Sequence, residues 1–119
     1  MSQPLGLMHD QIIKIVLPRD EHLDEPSARL LAAKLQVPSA GSRVAVLMDV
    51  TDVASVSRAA RAVFGSLTTV AAWALLGQTP VDRILAHFIL GGGFTSRPAG
   101  YFTSEAEAIF WLKEHAYVH

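Results

Sequence analysis

The chain has 119 residues, half of them hydrophobic, 18% charged, and a formal net charge near −1, which fits a single domain over residues 1–119 with a substantial core. The absence of cysteine excludes disulfides, thiolate metal sites and cysteine nucleophiles, and no basic run offers the phosphate contacts that nucleic-acid binding needs. The longest apolar run, residues 70–76, is far short of the ~20 residues that span a bilayer. Residues 1–9 lack the charged start of a secretory signal, so a cytoplasmic protein is expected.

In chain order, Ile12-Ile13-Lys14-Ile15-Val16-Leu17 is rich in β-branched residues and stops at Pro18, which predicts a strand. An acidic loop, residues 19–24, follows. Pro26 suits the first turn of a helix, whose apolar stripe is Ala28, Leu31, Ala32 and Leu35 and whose end is expected before Pro38. Val44-Ala45-Val46-Leu47-Met48 is apolar at every position, as in a strand covered on both faces, with Asp49 at its end. Ser55 is the expected N-cap of the next helix, with Val56, Ala59, Ala60, Val63, Phe64 and Leu67 facing inward. Residues 69–76 predict a second central strand.

Thr79-Pro80 then reads as an N-cap and first helical position. The spacing predicts that Val81, Ile84, Leu85 and Phe88 face the core until Gly91-Gly92-Gly93 ends the helix. A short strand over residues 99–102 precedes Ser104-Glu105-Ala106-Glu107, which has the form of a capping box, and a last helix burying Ala108, Trp111 and Leu112. The order βαβαβαβα predicts an α/β domain: a four- to five-stranded, mostly parallel or mixed sheet with packed helices.

The chemistry-bearing residues form no recognised catalytic constellation. The glycines at 91–93 follow a helix rather than a strand and lack a Walker lysine, so they cap a helix rather than cradle phosphate. Of the five histidines, only His115 and His119 share an i, i+4 spacing, without a third metal ligand. Asp49, Asp20 and Glu21 lie at strand ends, as in an acidic phosphoacceptor pocket. The lysine that such a pocket needs after a late strand is replaced by Phe102-Thr103-Ser104. No catalytic residue, metal or cofactor is expected.

Val46-Leu47-Met48-Asp49-Val50-Thr51-Asp52-Val53 resembles the strand-to-helix junction of the anti-sigma-factor antagonist (STAS) fold. Four further segments resemble a small actinobacterial family of SpoIIAA-like, STAS-like domains of unknown function. These are Ser57-Arg58-Ala59-Ala60-Arg61, then residues 70–76, then Pro80-Val81-Asp82-Arg83-Ile84-Leu85-Ala86 and Phe102-Thr103-Ser104-Glu105-Ala106-Glu107-Ala108 with Trp111-Leu112. The likeness covers about residues 44–113. It implies a bacterial regulatory domain that acts by docking, and a phosphorylated serine at the start of the helix after the Asp49 strand. The usual Asp-Ser-Ser-Gly run is absent; Ser57-Arg58 stands near the Asp-Ser position, which leaves Ser55 and Ser57 as candidate phosphoacceptors.

The expected activity is that of a non-enzymatic regulatory or protein-interaction domain. Its contact surface would take in the loop of residues 49–55 and the helix of residues 55–67, with Asp49, Asp52, Ser55, Ser57, Arg58 and Arg61 as contacts. Phe110, displaced from the last helix's core stripe, is the remaining candidate contact. A homodimer is the expected assembly, since two-fold dimers are the commonest. The alternative is a carrier for a small apolar ligand or a nucleotide in a cleft between helix and sheet.

Overall fold

A computed structural model describes residues 12–39, 43–91 and 97–116. Strands β1 (Ile12–Val16), β3 (Val44–Asp49), β5 (Val70–Leu76) and β6 (Ala99–Phe102) form one four-stranded sheet in the order β1-β3-β5-β6, with every pair parallel. Two short strands, β2 (His22–Leu23) and β4 (Ser55–Val56), form a separate parallel pair. The helices are α1 (Glu25–Ser39), α2 (Arg58–Gly65), α3 (Pro80–Leu90) and α4 (Glu105–Ala116). The α/β class and its strand–helix alternation are as expected from the sequence. His9, His119, Gly92, Gly93 and residues 117–118 lie outside the described residues.

The strand order explains the layers. Each crossover steps to the next strand in the same direction, and crossovers of one hand then place their helices on one face of the sheet. Accordingly α1, α2 and α3 bury Ala28, Ala32, Leu35, Ala60, Val63, Phe64, Ala86 and Ile89 against Ile15, Val46, Met48, Trp73 and Leu75. Helix α4, which follows the last strand, covers the other face with Ala108 and Leu112 against Ala45, Leu47, Ala72, Ala74 and Leu76. The alternation within β3 and β5 supplies both cores, which is why these strands are apolar throughout. All six residues of β3 are buried. Trp73, 1% exposed, meets Phe64 edge-on at 6.1 Å between ring centroids.

Four local expectations are corrected. Helix α1 continues through Pro38 to Ser39; a proline in the last turn forfeits one intrahelical bond without blocking the turns before it. Ser55 is not a helix cap but the first residue of β4, which pairs with His22. The N-cap of α2 is Ser57, with extended backbone (φ −70°, ψ 159°) and its Oγ accepting from the Ala60 N–H at 3.0 Å. Val56 is therefore buried from a strand, and Ala59 is exposed.

The fourth correction concerns α3. Thr79 caps it in a complete capping box with Asp82, and Pro80 occupies its first turn, as the sequence predicts. The predicted core stripe, however, faces outward: Val81 and Ile84 are each 70% exposed and Phe88 41%, with Leu85 partly buried. The inward side is Asp82, Ala86 and Ile89.

The packing gives a graded expectation for denaturant titration. Trp73→Ala should cost about 3–5 kcal/mol by leaving a cavity between the sheet and α2. Val16→Ala, on the edge strand β1 and half exposed, should change stability by less than about 1 kcal/mol.

Candidate functional site

The loops at the carboxyl ends of β3 and β5 converge on one carboxylate. Asp82 is 2% exposed. Its Oδ1 accepts from the Asp52 N–H at 3.0 Å, and its Oδ2 from the N–H groups of Gln78 at 2.8 Å and Thr79 at 3.0 Å. Burial opposes its ionisation. The donors from Gln78, Asp52 and Thr79 outweigh that cost and hold the carboxyl below its ordinary value. Three backbone N–H groups from two loops and a helix start are thereby satisfied by one buried side chain.

Asp52 is the second hub. Its backbone is left-handed (φ 60°), as is that of Asp20, a conformation aspartate tolerates better than most residues. The Asp20 N–H donates to the Asp52 carbonyl at 2.7 Å, and the Asp52 carboxylate pairs with Arg19 at 3.2 Å. Asp49 is buried, and its Oδ1 accepts from the Thr51 N–H at 2.9 Å. It shapes the turn after β3 and is not at the surface where a partner would meet it. Gly77 fits beneath this loop because a Cβ there would lie 2.6 Å from the Asp82 Cβ and from the Tyr101 hydroxyl. That hydroxyl is buried without a hydrogen-bond partner. Burial, with the Asp82 charge adding to it, pushes its pKa up.

Beside this cluster runs an open groove of about 380 Å³. One wall is Ala54, Ser55 and Val56; the other is the outward stripe of α3, Val81, Ile84, Leu85 and Phe88. The Ser55 hydroxyl hydrogen-bonds His22 Nδ1, which ties the first wall to the loop after β1. At the far end, the Arg61 guanidinium lies 4.2 Å from the centroid of the Phe88 ring and donates to the Phe88 carbonyl at 2.7 Å. Arg58 is exposed one turn earlier on α2.

The structure therefore divides the sequence-predicted contacts. Ser55 lines the groove, Ser57 and Arg58 adjoin it on α2, Arg61 closes it, and Asp52 lies at its opposite end. Phe110 is 66% exposed but belongs to α4, on the other face of the sheet, and is not part of this surface. Val81, Ile84 and Phe88 are the residues that sequence reasoning missed. The available signal was quantity: seven of the eleven residues of α3 are apolar, more than one buried stripe needs. Among the described residues no group of three or more His, Cys, Asp or Glu side chains is gathered to hold a metal ion. No helix of the described residues is long and apolar enough to cross a membrane.

Two measurements check the local account. Asp82→Ala should cost about 2–4 kcal/mol in denaturant titration, because three backbone donors lose their common charged acceptor; Ser57→Ala, which removes the α2 cap, should cost about 1 kcal/mol. Because the folded pKa of Asp82 is depressed, its contribution is complete above the unfolded value of about 4 and is lost as pH falls through the lower folded value. Asp82→Asn should flatten that part of the acid-unfolding curve.

A search of curated proteins found no match. Among solved structures, an uncharacterized protein of the DUF3478 family from Shewanella loihica PV-4, with a SpoIIAA-like fold, is similar with a TM-score of 0.59 and 19% identity, covering 85% of this chain and 82% of that one. A protein with unknown function from Arthrobacter sp. FB24 is 38% identical, covering 87% of this chain and 92% of that one, with a TM-score of 0.35. The fold is thus SpoIIAA-like. A family model described as a domain of unknown function, DUF7793, matches residues 7–116, and the chain belongs to that family.

Proposed function

We propose that this chain is a non-enzymatic interaction domain that works by burying the outward face of α3 against another polypeptide. The observation that carries the reading is the exposure of Val81, Ile84 and Phe88 on a helix whose orientation is fixed by Asp82. Apolar side chains scattered singly on a surface need no explanation, but a contiguous stripe along a groove marks a contact surface. Aromatic and aliphatic anchors flanked by arginine have the composition of an interface centre.

The polar groups near the groove support docking over chemistry. Asp82 is saturated by backbone donors, Asp49 is engaged in its own turn, and Asp52 is paired with Arg19. The carrier alternative has less support. The four principal strands follow chain order across the sheet without reversal, whereas α/β domains hold nucleotides in the crevice where strand order reverses. The groove beside α3 is open to solvent and does not enclose a small molecule as a carrier cleft would.

Phosphorylation of Ser55 or Ser57 would act on this same surface. The Ser57 Oγ caps α2 and the Ser55 hydroxyl is bonded to His22, so a phosphate on either would disrupt an existing contact and add charge beside the apolar wall.

The reading is tested by placing a photo-crosslinking amino acid at Ile84 or at Phe110 in living cells. Both positions are exposed, so folding should be unaffected. Polypeptide adducts should form from position 84 and be much weaker from position 110. No adduct from 84, or equal adducts from both, would contradict the assignment.

A further inference from the structure

Resting on the reading that the α3 face binds a polypeptide, we infer that the polypeptide is a second copy of this chain, docked α3 against antiparallel α3 about a two-fold axis near Ile84. Two observations select a second copy: the groove's two ends carry opposite charge, and its apolar stripe has a central residue.

The acidic end is built by the loops after β1 and β3. The Ala54 N–H, at the start of one wall, donates to the Glu21 carbonyl at 3.0 Å. Glu21 and Asp20 are exposed there, as is Asp52, the last of these paired with Arg19. The basic end is built by α2. Val56, which ends the same wall, is followed by the Ser57 cap, and Arg58 and Arg61 project from the first turns of the helix. Arg61 spends its guanidinium on Phe88, whereas Arg58 is exposed.

A two-fold contact places each patch against its own counterpart, so residue i meets residue j while j meets i. An antiparallel arrangement then sets the Arg58–Arg61 end of one copy against the Asp20–Glu21 end of the other, twice per dimer. A parallel arrangement would oppose like charges. The stripe obeys the same symmetry: Val81 and Phe88 lie at its ends and Ile84 near its centre, so Phe88 of one copy meets Val81 of the other, and Ile84 meets Ile84 across the axis. The contact is small, with three exposed apolar residues per copy, as in a transient rather than an obligate dimer.

Sedimentation equilibrium on the full chain, from about 1 to 500 µM, tests this. The wild type should pass from monomer to dimer across that range. Ile84→Glu should stay monomeric with unchanged circular dichroism, since residue 84 is outside the core, whereas Phe110→Glu should dimerise like the wild type. Charge reversal then tests the antiparallel arrangement. Glu21→Arg alone and Arg58→Glu with Arg61→Glu should each shift the dimer midpoint at least tenfold upward, and an equimolar mixture of Glu21→Arg with the doubly substituted chain should return the midpoint to near the wild-type value. Each heterodimer in that mixture carries wild-type pairing at one end of the interface and exchanged pairing at the other, with no like charges opposed. The chain carrying all three reversals should regain the wild-type midpoint, because both ends are then exchanged. A wild type monomeric throughout overturns the inference, as does dimerisation that survives Ile84→Glu or a triple variant that stays monomeric. Crosslinking from position 84 to a different polypeptide, with the purified chain monomeric, would overturn the second-copy assignment while leaving the interaction reading intact; no crosslink to any polypeptide would overturn both.

Discussion

The structure depends on where one carboxylate points. Asp82 sits in the first turn of α3, and its side chain is held inward by the backbone N–H groups of Asp52, Gln78 and Thr79. A helix rotates as a rigid body, so fixing Asp82 inward fixes every other residue of α3. Ala86 and Ile89, on the same side, become the core contacts, and Val81, Ile84 and Phe88 are carried round to solvent. Three hydrogen bonds to one ionised carboxylate, at about 1.5–3 kcal/mol each, together rival the burial of three apolar side chains.

Topology makes that rotation tolerable. Three crossover helices share one face of the sheet, and α1 and α2 lie side by side over its first half. Helix α3 lies toward the edge strand β6, so its flank facing α2 meets the tip of β4 and the Arg61 side chain. The groove is the space left there. On the opposite face α4 is the one helix among the described residues, with Lys14 of β1 bridged to Glu105 at its start.

Much of the fold was legible in the residues. Unbroken apolar runs at 44–48 and 70–76 identified the two strands that supply both cores, and Thr79-Pro80 marked a helix start. The facing of α3 was not legible from spacing, because Val81, Ile84, Leu85 and Phe88 repeat as a core stripe does, and periodicity reports that a helix has an apolar side without saying which side faces the sheet. The deciding residue, Asp82, reads in the sequence only as a helix-start acid; its partners Asp52 and Gln78 come from loops brought together by the fold. The α2 start failed for a related reason. Ser55 and Ser57 are equally good caps by composition, and the choice is made by His22, whose strand pairs with Ser55 and draws it into β4. Of the surface predicted from the sequence, the α2 residues adjoin the groove, whereas Asp49 and Phe110 fall away from it because burial and sheet face are set by pairing register.

Helix α3 presents Ile84 outward and Ile89 inward, and the absence of native cysteine allows a direct measurement. Ile84→Cys and Ile89→Cys each introduce a single thiol, whose rate of reaction with a small thiol reagent can be followed in native buffer at sub-micromolar protein concentration. Labelling at position 84 should run close to the rate of the unfolded chain, and at position 89 should be slower by about a hundredfold or more, limited by opening of the structure. Fast labelling at 89 with protection at 84 would contradict that orientation.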